Sequence, residues 1–433
     1  MRPAHRSPLL SFSTATRGLI ASVAAVVVSI FAADLVFASE PAAVATQPGR
    51  SDGPRPALPA PDPTHSVQRH STQVGWPDAT APDAPDGFVV TEFAADLESP
   101  RWLYVLPNGD VLVAQAGSHS SPDRITLLRD TNGSGHADVH KVLLKDLHQP
   151  FGMAYIAPYL YIANTDSIWR YHFRAGDEEI DDRGEKILDL PAGGYNNHWT
   201  RNIISNADKS RLLITVGSAS NAGELGAGPE TRRANILSIN LDGSDERVVA
   251  SGLRNPNGMA WEPETGALWT VVNERDNLGD NLVPDYLTRV QAGGFYGWPY
   301  SYWGHHLDPR LKPAHDEQVN KAIVPDYALG NHVAPLGLAF YTDDAFPDVY
   351  RGGAFIGEHG SWNSSTYTGF KVVFVPFENG RPSGRPRDFL TGFLPDRKSG
   401  HTYGRPVGVA VDALGALLVA DDAGNRVWRV SAQ

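Results

Sequence analysis

One unit recurs six times between Pro100 and the C-terminus, and it constrains the fold more than any other feature. The unit is a Gly or its equivalent, a short apolar strand, a turn, a second apolar strand and a later strand of Arg/Val type. It is read at Pro100–Ala114, at Gly152–Tyr155 with Tyr159–Ala163 and Ile168–Tyr171, and at Ile203–Val216 closing with Ile236–Ile239. It returns at Gly258–Val271, at Gly337–Phe340 with Gly353–Gly357 and Phe370–Phe374, and at Gly408–Ala420 closing with Arg426–Val430. A small sheet of this kind cannot bury both faces alone, so successive copies must stack. The repeat therefore predicts an all-β chain, a six-bladed β-propeller with long inserted loops on one face. The insert 293–326 belongs on that face, where sites are usually built. A β-sandwich with a second domain explains neither the repeat nor the near-absence of amphipathic helical patterns.

Upstream of Gly87 the pattern changes. Residues 39–86 are dominated by Pro, Ala, Asp and Ser, as in Pro54–Pro63, and show no sustained hydrophobic period. Such a segment reads as a Pro/Ala-rich, disordered linker, with the propeller domain at 87–433. Residues 1–38 read as a signal peptide: Arg2, His5, Arg6 and Arg17 precede the apolar run Gly18–Ala33, and Val36-Phe-Ala38 offers a small-residue cleavage site. Export to the periplasm or medium follows. The alternative is an uncleaved membrane anchor, although Asp34 leaves the run short against the ~20 residues that a span needs. The absence of cysteine excludes disulfides, thiol catalysis and Cys-built zinc sites. The net charge of -12 argues against nucleic acid as a partner.

Four loop segments carry chemistry-bearing residues next to the repeats. In Gly193–Arg201, His198 suits a general base, because its ordinary pKa near about 6.5 allows it to take a proton at neutral pH; a loop histidine bonded to carbonyls is the plainer reading. Arg254-Asn-Pro-Asn-Gly258 offers a planar cation and the amide of Asn255 at a strand entry, or simply a turn. Asn273–Leu282 holds three carboxylates within ten residues, enough hard oxygen for calcium or for a solvated loop. His359-Gly-Ser-Trp-Asn363, Lys371 and Gly404-Arg-Pro-Val-Gly408 complete the set. Arg405 precedes its strand as Arg254 does, so the two arginines would face one central anion. No phosphate-type Gly loop and no Gly-x-Ser-x-Gly elbow is present.

These segments, with Asp280 and Gly294-Phe-Tyr-Gly-Trp-Pro299, resemble in their order the glucose/sorbosone dehydrogenase family, its L-sorbosone dehydrogenase-like soluble branch in particular. The resemblance covers residues 87–432. It implies oxidation of a sugar or sugar aldehyde by hydride transfer to pyrroloquinoline quinone (PQQ), with calcium as a second cofactor and a separate electron acceptor. It further implies His198 as the base and Arg254 beside the developing charge. Arg254, Asn255, Arg405, Gln115, Trp362, Asn363 and Lys371 would hold PQQ. Asp276 and the backbone carbonyl of Arg275 would hold calcium, and Tyr296 and Trp298 would line the sugar site. Ser364 departs from the pattern, since family members often carry a basic residue there. Two other readings of a propeller stay open at this point: a metal-dependent lactone hydrolase, and a non-catalytic platform that binds carbohydrate or protein.

Overall fold

A computed structural model of the protein describes residues 50–433 except His65, 118–121, 194–197 and 313–314. The segment 1–38, the first part of the expected linker, and Asn196 and Asn197 of the histidine loop lie outside the described residues. Long apolar runs become strands with both faces covered, as in Arg211–Val216 (RLLITV) and Lys371–Val375 (KVVFV). Alternate side chains of one strand enter different interblade cores. Leu112 and Ala114 pack toward the second blade, whereas Val111 and Val113 pack toward the sixth. That two-sided burial explains why these strands read as continuous apolar runs rather than alternating ones.

Six antiparallel sheets follow one another around a ring. Blade 1 starts with the inner strand Pro100–Val105, blade 2 with Met153–Ile156 and blade 3 with Ile203–Ser205. Blade 4 starts with Asn255–Trp261, blade 5 with Pro335–Phe340 and blade 6 with Pro406–Val411. The ring closes because Phe88–Ala94, from the start of the domain, pairs antiparallel with Arg426–Ala432 as the outer strand of blade 6. Closure ties the two ends of the repeat together. Inner strands approach so closely that glycine is required at the contact. A Cβ on Gly258 would lie 2.7 Å from Leu336 O, one on Gly337 2.3 Å from Val407 O, and one on Gly408 2.7 Å from Arg101 O.

Residues 50–86 correct the expectation of a disordered linker. Asp52–Gly53 extends the outer strand of blade 4, pairing with Ala328 and Leu329, and Thr72–Gln73 pairs in parallel with His401–Thr402. Trp76 packs between Phe393, Tyr403 and Trp428 and donates its indole N–H to Asp421 at 2.7 Å. The segment builds no core of its own; it borrows hydrogen bonds from sheet and loop edges and anchors one large aromatic side chain. A Pro-rich chain is already stiff and extended, which lowers the entropy cost of laying it down. Among the described residues no helix is long and apolar enough to cross a membrane.

Candidate active site

A cavity of about 140 Å³ opens where the inner strands of blades 3, 4 and 5 begin. His198, Arg254, Asn255, Asp276, Asp285, His332, Trp362 and Asn363 are among its lining residues. His198 is half-buried, and its Nδ1 lies 2.9 Å from Ser218 O and 3.0 Å from Ser218 Oγ. A carbonyl oxygen only accepts, so Nδ1 carries the proton and Nε2 keeps its lone pair. Burial pushes the imidazole well below its ordinary pKa, and the positive charges of Arg254, Arg233 and Arg201 add to that. Arg201 donates to the carbonyl of His198, and Arg233 to those of Gly193 and Gly217. These two buried guanidiniums clamp both ends of the histidine loop. Gly217 permits the approach of base and amide: a Cβ there would lie 2.3 Å from Asn255 Oδ1 and 2.5 Å from His198 Cβ. Asn255 Oδ1 is buried with no hydrogen-bond partner, an acceptor left open beside the base.

Arg254 is buried and spends its donors on the protein. It reaches Asn221 O at 3.0 Å, Asn221 Oδ1 at 2.9 Å, Glu274 O at 2.6 Å and Asp276 Oδ2 at 3.0 Å. It brings positive charge to the cavity while standing in the oxygen-rich turn expected to take a metal. Most other oxygens of that turn are also engaged, Glu274 Oε1 being buried without a hydrogen-bond partner. Glu274 and Asp308 pair with Arg275, which is fully buried and points away from the cavity. Asp280 accepts from Ser365. Asp285 accepts the amides of Glu274 at 2.7 Å and Ala334 at 2.8 Å, and burial raises its pKa to about 8. Among the described residues no three His, Asp or Glu side chains converge as metal ligands. Asp276, expected with the backbone carbonyl of Arg275 to hold calcium, lines the cavity and pairs there with the Arg254 guanidinium.

A second polar cluster joins blades 5, 6 and 1. His359 Nε2 lies 2.9 Å from Asp422, which also receives Arg101 at 2.5 Å. Arg405 donates to the carbonyls of His359 and Gly360, each at 2.9 Å. Arg101 lies over the ring of Trp199, the neighbour of His198, at 5.0 Å. Asp422 thus pairs with the single cation Arg101, with Arg405 nearby, and burial with Arg405 alongside lowers His359 to about 4. The family model that this sequence matches is described as TrAA12-like and covers residues 82–288 and 304–433. The chain belongs to the TrAA12-like family. A Borreliella burgdorferi protein is 30% identical over 375 residues, 79% of this chain and 94% of that protein. A pyrroloquinoline quinone-dependent sugar dehydrogenase of Hypocrea jecorina is 24% identical, spanning 83% of this chain and 90% of its own. Among solved structures, the holo PQQ domain of Coprinopsis cinerea pyranose dehydrogenase superposes with a TM-score of 0.69 at 21% identity, over 84% of this chain and all of that one. The calcium structure of the Trichoderma reesei family AA12 enzyme does so with a TM-score of 0.71 at 21% identity and the same coverage. These matches bear out the resemblance carried by the loop motifs, and the structural ones bear out the propeller.

Within this TrAA12-like site, the residues expected from sequence divide sharply. His198, Arg254, Asn255, Asp276, Trp362 and Asn363 meet in the cavity. Arg405 lies outside the cavity lining, in the neighbouring Arg101 cluster. Gln115 also lies outside the cavity lining: it is fully buried, donates to Glu98 O at 2.9 Å and accepts from Arg124 and Thr126. Lys371 is likewise committed, to Asp388 at 2.5 Å. Tyr296 and Trp298 do not line the cavity. Tyr296 is buried in the core between blades 3 and 4, and Trp298 donates to Asn221 O at 3.0 Å, behind Arg254. Sequence reasoning missed His332 and Asp285. The signal for His332 was present: it precedes Ala334-Pro-Leu-Gly337 much as Arg254 precedes Pro256-Asn-Gly258.

Proposed function

We propose that this protein oxidises a sugar with PQQ as the bound oxidant, with His198 as the base. The observation that carries the reading is the neutral His198 beside the open acceptor of Asn255 and the charge of Arg254. The residues fit PQQ, a planar quinone bearing three carboxylates. Arg101 and Arg405 together outweigh Asp422 as anion partners, and Asn255 Oδ1 awaits a donor. The relatives named pyrroloquinoline quinone-dependent support the same assignment. Bound PQQ would supply the two-electron acceptor for the hydride leaving the sugar carbon. His198 takes the hydroxyl proton at Nε2 while Ser218 holds its Nδ1–H, which keeps the ring oriented and the tautomer fixed. Arg254 keeps a positive charge in the cavity wall that would offset the negative charge gained on two-electron reduction, and Asp276 with Asn221 keeps Arg254 in place. Asp276 and the unpartnered Glu274 Oε1, with the Arg275 carbonyl, would be the oxygens that hold calcium, and no step is assigned to it. We place the protein outside the cytoplasm on the strength of the leader-like residues 1–38.

The test is a titration of the purified protein with PQQ, with and without chelator, followed by an aldose panel and a dye acceptor. Binding with sugar-dependent dye reduction supports the reading, and the chelator arm reports whether calcium is needed. No binding at micromolar PQQ would overturn it in favour of a carbohydrate-binding propeller. A hydrolase would need clustered metal ligands, and the described residues lack them. Gly217→Ala gives a sharper check of geometry. The new methyl must displace His198 or Asn255 by an ångström or more, so kcat/KM should fall about 10²-fold with little change in melting temperature. Wild-type kinetics in this variant would mean that the His198–Asn255 approach is immaterial.

A further inference from the structure

The segment that reads as a linker crosses the rim of the cavity. The Asp62 amide donates to Leu278 O at 2.9 Å, on the loop that carries Asp276. Asn363, a cavity residue, donates to Val67 O at 3.3 Å. The Arg69 amide donates to Trp362 O at 2.7 Å, and the Arg69 guanidinium reaches Ser365 O at 2.9 Å and Lys398 O at 2.7 Å while lying 4.4 Å over the Tyr367 ring. His70 then stacks on Trp362, with ring centroids 5.8 Å apart and planes 7° from parallel. His70 is exposed, whereas Trp362 is half-buried and lines the cavity.

A tryptophan at the edge of a polar cavity is free to swing about its side-chain torsions unless something fixes its plane. Here its carbonyl is pinned by Arg69 and its ring is matched by a parallel imidazole. Nothing in the propeller repeat requires that arrangement, because the strap adds no strand to blade 5. A flat indole surface beside hydrogen-bonding groups suits the apolar C–H face of a pyranose ring.

We infer that Asp62 and residues 66–70 border the sugar subsite and that His70 is a positioning residue, holding the indole of Trp362 in the plane that receives a pyranose. The inference rests on the sugar-oxidising reading of the cavity. It assigns a substrate role to a segment outside the repeat, and it explains why an exposed histidine lies flat on a cavity tryptophan.

Two variants of the full chain test it, His70→Ala and His70→Phe, with three readouts: PQQ affinity, steady-state kinetics with an aldose, and sugar binding followed by tryptophan fluorescence. Loss of the stack in His70→Ala should weaken sugar binding and raise KM about three- to tenfold, with kcat and PQQ affinity unchanged. His70→Phe, which keeps a stacking ring, should restore KM. Unchanged sugar affinity and KM in His70→Ala would overturn the inference, as would a loss that appears in PQQ affinity instead. So would a wild-type protein that binds no sugar. Sugar binding without reduction of PQQ would overturn the dehydrogenase reading alone and leave the subsite border in place.

Discussion

Replacing His198 by Ala is expected to lower turnover about 10²–10⁴-fold while leaving PQQ affinity within a few-fold of wild type. The asymmetry follows from what the residue touches. Its Nδ1 is committed to Ser218, so its loss removes one proton acceptor and no cation from the Arg101–Arg405 cluster. The pH profile supplies a second, independent signature. A base works in its unprotonated form, and burial together with Arg254, Arg233 and Arg201 pushes His198 well below its ordinary value. The acid limb of kcat/KM should therefore fall below the ordinary histidine pKa of about 6.5 rather than at it. Arg233→Gln removes one of those charges and should move the limb upward. A limb that stays put in both His198→Ala and Arg233→Gln would assign the proton transfer to another group.

Much of this architecture is legible in the chain because a propeller strand is buried on both sides. Arg211–Val216 and Lys371–Val375 announce themselves as short apolar runs, and six of them in series leave few alternatives to a closed ring. Loop residues at strand entries were legible in part: position alone paired Arg254 with Arg405, which lies outside the cavity lining, whereas His198 and Asn255 joined Arg254 through the family resemblance. The residues that the fold leaves outside the cavity lining have equally local reasons. Tyr296 and Trp298 follow a Gly-rich turn, and an aromatic there reads the same whether it faces a cavity or a core. Gln115 ends a strand, and only the pairing with Arg124 and Thr126 shows which way it points. The strap 50–86 was hidden by composition. Its contacts run mainly through backbone amides, and its anchor is the lone Trp76 among prolines and alanines. The engagement of Arg254 with Asp276 was also invisible, since spacing cannot tell an acidic turn that binds a metal from one filled by a guanidinium.

Glu358→Gln is expected to change how stability depends on pH. Glu358 ends the second strand of blade 5, is 1% exposed, and has neither carboxylate oxygen hydrogen-bonded among the described residues. Burial raises its pKa from 4.5 to about 8; Asp388 and Asp285 reinforce the shift and Lys371 opposes it. The unfolded chain ionises this group near its ordinary value, so between about pH 4.5 and pH 8 the folded state binds more protons than the unfolded one. Stability must then fall as pH rises through that window, by up to about 3 kcal/mol between pH 5 and pH 8. Asp285, also raised to about 8, acts in the same direction and keeps part of the slope in the variant. Glutamine has nearly the same shape and never ionises, so the urea midpoint of Glu358→Gln should stay near wild type at pH 5 and exceed it at pH 8. A constant offset at both pH values would mean that position 358 acts through packing alone. A steeper wild-type decline, relieved by the variant, would establish a protonated carboxylic acid in blade 5 within electrostatic reach of Asp285, which lines the cavity.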